Sequence, residues 1–130
     1  MSDKILFERL MRYSCANGHV EEVESLLAQG VNPNVPDKNG YTPLHYAVLS
    51  GNVDLIQLLI DRGADPNLPD RSGRTPLHHA ALGQKNEVMN RLIEMGADVN
   101  KQDKKGFTAA HILRYGFTLI CTASALHVVI

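Results

Sequence analysis

Six histidines are the side chains best suited to chemistry in this 130-residue chain. His45, His78 and His111 recur at intervals of 33 residues, so they sit at one place in successive units rather than in one cluster. His78 and His79 are adjacent, and neighbouring side chains on a helix point to different faces, a poor geometry for sharing a metal ion. His19 and His127 stand alone, and no metal or cofactor is expected. The two cysteines, Cys15 and Cys121, form neither a CxxC nor a zinc-type spacing. Both are expected as reduced thiols, which favours an intracellular setting, cytoplasmic or nuclear. Asp37, Asp70 and Asp103 share the histidine spacing and lie in turn sequences, where aspartate bonds nearby backbone amides. Glu21, Glu22, Glu24, Asp54, Glu87 and Glu94 fall on or beside helical stretches, mostly on solvated faces. GxGxxG, the Walker A pattern and Ser or Cys nucleophile motifs are all absent. An enzyme would need an inserted polar loop, for which the strict spacing leaves no room, so none is expected.

The elements that carry these residues follow from the repeat. Thr42-Pro43-Leu44-His45 returns as Thr75-Pro76-Leu77-His78 and, more weakly, as Thr108-Ala109-Ala110-His111. The same interval of 33 links Gly40, Gly73 and Gly106, as well as Gly30, Gly63 and Gly96, and Asn34, Asn67 and Asn100. A fixed period of this length marks a stacked-repeat architecture. Thr before Pro reads as an N-cap before an N1 proline, starting a helix. Ala47 keeps that helix thin for close stacking, and Gly51 supplies a left-handed stop. A second helix is expected from about Val53 to Arg62, with Ile56, Leu59 and Ile60 on its core face. Val23, Leu26 and Leu27 match these one period earlier, and Met89, Leu92 and Ile93 one period later. Gly63 and Gly96 end the second helices. The stretch from Ala64 to Asn67 leads into a hairpin tipped by Asp70-Arg71-Ser72-Gly73. One such unit has an apolar face with nothing to cover it, so stability requires several in a row.

From about Gly18 to His111 the chain resembles the ankyrin repeat. The resemblance implies an all-α ankyrin-repeat solenoid of stacked antiparallel helix pairs joined by β-hairpin loops. It divides the chain into an N-terminal capping repeat at 1–34, repeats at 35–67 and 68–100, and a degenerate C-terminal repeat at 101–130. It makes His45, His78 and His111 structural, bonded near the hairpin and to the preceding threonine. It also implies possible hydroxylation at Asn34, Asn67 and Asn100, each eight residues after Leu26, Leu59 and Leu92, although this spacing is part of the repeat consensus itself.

The ends depart from the pattern. Arg9, Leu10, Met11 and Arg12 replace the Thr-Pro-Leu-His start, as in a capping unit. Phe117 takes the slot of Gly51, and no charged residue follows Arg114. The apolar tail allows three readings: a short packed helix, a divergence from a longer array, or a surface that pairs with a partner or a second copy. The stretch Tyr115–Ile130 is 16 residues, short of the ~20 that span a bilayer. The opening Met1-Ser2-Asp3-Lys4 lacks the features of a secretory leader.

With no catalytic constellation, function is expected at a surface. In the ankyrin resemblance the hairpin tips and exposed first-helix positions form a concave face. Here the tips hold Lys38, Asn39 and Tyr41, then Arg71, Ser72 and Arg74, then Lys104, Lys105 and Phe107, with Tyr46 and His79 extending the face. The net charge is −1, yet these tips are basic and the second helices behind them acidic. The expected partner is another protein with an acidic or acidic-aromatic surface, Tyr41 and Phe107 serving as anchors. Nucleic acid is not expected, because the basic set is small and belongs to no recognised motif. The alternative is an assembly role, with self-association or docking through the tail from Phe117.

Overall fold

The computed structural model describes residues 3–114. Among them the regular elements are helices: α1 (Asp3–Ala16), α2 (Val20–Ala28), α3 (Pro43–Ser50), α4 (Val53–Asp61), α5 (Pro76–Leu82) and α6 (Asn86–Glu94). Helical backbone resumes over 109–114. The pairs α1/α2, α3/α4 and α5/α6 pack internally. The first helices α1, α3 and α5 form one layer and the second helices α2, α4 and α6 the other, each in chain order. Among the described residues no helix is long and apolar enough to cross a membrane. The apolar tail, with Phe117, Cys121 and His127, lies outside the described residues.

Local chemistry explains the boundaries. Thr42 Oγ1 accepts from the His45 amide, Pro43 takes the first helical position, and Gly51 closes α3 at φ +73°. Asn52 then caps α4 by accepting from the Leu55 amide at 3.1 Å. One period on, Gly83 stands at φ −86° and the left-handed residue is Gln84 at φ +54°. Lys85 replaces the Asn52 cap, and its Nζ donates to the Val48 and Leu49 carbonyls at 2.9 and 2.8 Å. A cation thus sits on the C-terminal carbonyls of the neighbouring first helix, where the helix dipole favours it. In the first unit α1 runs two turns further back than the other first helices, replacing the hairpin. Met11, Ser14 and Cys15 are buried there, in the slots of Leu44, Ala47 and Val48. Burial also pushes the Cys15 thiol up to about 12, which leaves it unreactive.

The core is one seam of Leu, Ile, Val and Ala shared between units. Ala47 and Ala80 are fully buried, as close helix stacking requires. The second-helix face differs by one column from the expected one: Leu55, Ile56 and Leu59 are buried in α4, and Val88, Met89 and Leu92 in α6. Ile60 is half-buried and Ile93 is 42% exposed. Asn34 and Asn67 tie units together. The Asn34 amide donates to the Gly63 carbonyl at 3.0 Å and accepts from the Asp65 amide at 2.7 Å. Asn67 does the same with Gly96 and Asp98, at 3.1 and 2.7 Å.

Candidate partner-binding edge

Each finger is built on its aspartate. Asp37 Oδ1 accepts from the amides of Asn39 and Tyr41 at 2.8 and 3.0 Å. Asp70 accepts from Ser72 and Arg74 at 2.8 and 3.0 Å, and Asp103 from Lys105 and Phe107 at 2.9 Å each. The Asp37 amide donates across the base to the Tyr41 carbonyl at 2.9 Å, and the other fingers repeat this bond. No strand forms among the described residues, so the expected β-hairpin loops are tight turns without a ladder. Each finger is too short for one, because the aspartate side chain takes the amides that a ladder would use.

Single bonds link finger to finger: the Arg71 amide to the Asn39 carbonyl and the Lys104 amide to the Ser72 carbonyl, both 3.0 Å. This close approach demands glycine at Gly40, which stands at φ +81° and where a Cβ would lie 2.8 Å from the Arg71 nitrogen. The histidines lock the fingers to the helices. His45 Nδ1 accepts from the Thr42 amide at 3.1 Å, so its proton sits on Nε2, which donates to the Arg74 carbonyl of the next finger at 3.0 Å. His78 repeats this with Thr75 at 3.0 Å and with the Phe107 carbonyl at 2.8 Å. His111 bonds Thr108. The structural role implied for the histidine column is the geometry observed.

The second oxygen of each aspartate differs between units. Asp37 Oδ2 accepts from the Tyr46 hydroxyl, and Asp70 Oδ2 pairs with His79 Nε2 at 2.8 Å. The third slot holds Ile112, which offers no donor. Asp103 Oδ2 instead faces Arg74 Nε at 3.5 Å, a partly buried ion pair. Burial acts to raise the Asp37 and Asp70 pKa values, but the Tyr46 or His79 bond and the two amides outweigh it and hold both carboxyls low. Asp103 is held low in the same way, its amide bonds opposing burial. The Tyr46 hydroxyl is pushed up to about 12 by burial and by its bond to Asp37.

The expected contact residues therefore divide. Lys38, Asn39, Arg71, Ser72, Lys104 and Lys105 are exposed at the tips. Tyr41 and Phe107 are half-buried, Tyr41 against the rings of His45, Tyr46 and His79 at 5.7, 5.9 and 5.7 Å. Tyr46 and His79 are half-buried with their polar ends held by aspartates, and Arg74 is held by Asp103. A crevice between the second and third fingers is lined by Arg71, Ser72, Arg74, Asp103, Lys104 and Lys105. Of the three asparagines, Asn34 and Asn67 have both ends of the side-chain amide occupied, while Asn100 is exposed.

Sequence reasoning missed one cluster: ligand-type atoms of His45, Asp70 and His79 lie within 4.8 Å of one another. The offset of nine residues shared by Asp37–Tyr46 and Asp70–His79 was the available signal. His45 commits both ring nitrogens to backbone groups, so the cluster supplies two ligand residues already bonded to each other. Its observed chemistry is a hydrogen-bonded lock.

Stacked two-helix units with a row of cross-linked fingers define a helical repeat protein that presents an edge. Residues 8–70 match the family model for ankyrin repeats (3 copies), and residues 59–113 that for ankyrin repeats (many copies). The chain belongs to the ankyrin-repeat family. Ankyrin repeats are generally protein–protein interaction modules, and typically non-enzymatic ones. Comparison with curated proteins finds none that matches the chain.

Proposed function

We propose that the protein grips an acidic or acidic-aromatic partner protein at the finger tips. The observation that carries this is that Lys38, Arg71, Lys104 and Lys105 are exposed, while the finger aspartates point inward onto amides. The tips thus present cations whose nearest carboxylates are already spent. Tyr41 and Phe107 stand half-exposed beside them, and a finger row held by backbone bonds loses little entropy on binding. Salt sensitivity follows, since exposed cations mainly accelerate and orient encounter. The test uses a synthetic peptide of alternating Glu and Tyr, titrated against the protein in a salt series. Binding that weakens with salt and is lost in the Arg71→Glu/Lys104→Glu/Lys105→Glu variant is the expected result. Binding indifferent to both salt and charge reversal would remove the proposal.

Asn34, Asn67 and Asn100 remain candidates for hydroxylation in this reading. Asn100 is the one whose amide is open to an enzyme without parting two units, and intact-mass analysis followed by peptide mapping would locate a 16 Da addition.

A further inference from the structure

Charge is not spread evenly along the finger row. The crevice between the second and third fingers, about 360 Å³ in volume, is lined by Arg71, Ser72, Arg74, Asp103, Lys104 and Lys105. Four of these side chains are cations and one is a carboxylate. The same columns one period earlier hold Lys38, Asn39, Tyr41, Asp70, Arg71 and Ser72, so Arg74 and Lys105 double the number of cations. Arg71, Lys104 and Lys105 are exposed. Among the described residues no hydrogen bond or ion pair reaches their side-chain charges. The one carboxylate is buried and committed: Asp103 Oδ1 takes the Lys105 and Phe107 amides at 2.9 Å each, and Oδ2 faces Arg74.

The backbone has little left to offer an anion here. The Arg71 and Lys104 amides cross to the Asn39 and Ser72 carbonyls, and the Ser72 and Arg74 amides go to Asp70. An anion in the crevice is therefore held by side chains: the Arg71 guanidinium, two lysine ammoniums and the Ser72 hydroxyl. A carboxylate brings one charge and two oxygens in one plane. A phosphomonoester brings a charge of about −1.5 to −2 at pH 7 and three strong acceptor oxygens. Its tetrahedral shape accepts donors arriving from both fingers at once. Cations crowded together repel one another, and a dianion relieves that repulsion more than a monoanion does. Arginine adds a planar fork that matches phosphate, and lysine adds point charge. The gap is set beforehand, because the Lys104 amide ties the third finger to the Ser72 carbonyl of the second at 3.0 Å. A nucleic-acid backbone or an anionic bilayer calls for cations continued along a row or a plane, whereas here they fall from four to two in the neighbouring gap. One localised dianion fits this distribution best.

On the reading that the finger tips grip an acidic partner protein, we infer that the group seated between the second and third fingers is a phosphorylated side chain of that partner.

Fluorescence anisotropy with three labelled peptides and the full chain tests this. The first is an alternating Glu-Tyr peptide with a central serine, and the second carries phosphoserine there. The third has the serine and one neighbouring tyrosine replaced by glutamate, which matches the phosphopeptide in charge and length. The phosphopeptide is expected to bind about tenfold more tightly than either of the others, the equivalent of one further bond between charged groups. That gain is expected to vanish in Lys104→Gln/Lys105→Gln and to persist in Lys101→Gln, which removes an exposed cation of the same unit that does not line the crevice. All three lysines are exposed, and far-UV circular dichroism checks that each variant is folded. Equal affinity for the phosphorylated and charge-matched peptides overturns the inference and leaves the acidic-partner reading standing, since the edge then counts charge alone. Failure of all three peptides to bind removes both. A phosphate gain that survives Lys104→Gln/Lys105→Gln also overturns the inference, because the phosphate then sits elsewhere. So does a short single-stranded oligonucleotide, or a phosphatidylserine vesicle, that binds more tightly than the phosphopeptide and depends on the same two lysines.

Discussion

His45 joins three stretches of backbone with one ring: its own helix, the Thr42 amide and the Arg74 carbonyl of the next finger. Burial lowers its pKa; the Arg74 carbonyl opposes this and nearby His79 adds to it, for a net depression. An unfolded chain protonates this histidine near pH 6.5 while the folded one resists. Its contribution to stability is therefore whole above that pH and is lost as pH falls through the folded value. Urea unfolding at pH 8 and pH 5.5 should show lower stability at the acid end, and His45→Gln, though less stable throughout, should flatten that difference. The finger aspartates act lower on the scale. Their folded pKa values are depressed, so their contribution is complete above about pH 4 and is lost on further acidification. Asp70→Asn should reduce the loss of stability between pH 4 and 2, measured by the same titration. The histidine and aspartate columns were legible because a 33-residue interval needs only identity of type. The partners of the second carboxylate oxygens were not, since Tyr46, His79 and Arg74 are unlike in type and serve one role.

At the scale of the helix, boundaries were legible wherever the signal was steric. Thr-Pro starts α3 and α5, and the left-handed stop at Gly51 ends α3. The end of α5 was not so plain, because its glycine stands one residue early and Gln84 takes the left-handed turn at φ +54°. Such a conformation costs a side-chain-bearing residue about 1 kcal/mol. Gln84→Gly should therefore raise stability by about 0.5–1 kcal/mol in urea titrations, whereas Gly51→Gln should lower it. Lys85 was equally hidden, since a lysine in a cap position carries no local signal and its bonds run to another unit. Lys85→Met removes two charge-assisted bonds to the Val48 and Leu49 carbonyls. A half-buried site should lose about 1 kcal/mol. The face of α4 was read one column off, at Ile60 in place of Leu55, because apolar residues fill Leu55, Ile56, Leu58, Leu59 and Ile60 and periodicity alone cannot rank them.

At the scale of the molecule, units contact only their neighbours, and a repeat stack is as strong as its shared seams. Leu59 is fully buried in the middle of the row, and Leu59→Ala should cost about 2–5 kcal/mol. That loss should show as a lower urea midpoint for the described stack. Stacking order was legible from the period alone. The linkage of the fingers was not, because it runs through backbone amides that any sequence possesses; only Gly40 and Gly73 hinted at the close approach. The binding edge depends on those links, since fingers that swing freely would have to be ordered by the partner. The amides of Arg71 and Lys104, which cross from one finger to the next, report on this directly by native-state hydrogen exchange. A finger row built before binding slows both at least about a hundredfold, the factor set by an opening cost of about 3 kcal/mol. Exchange at the rate of an unprotected chain, with the helices still protected, would contradict a preformed edge.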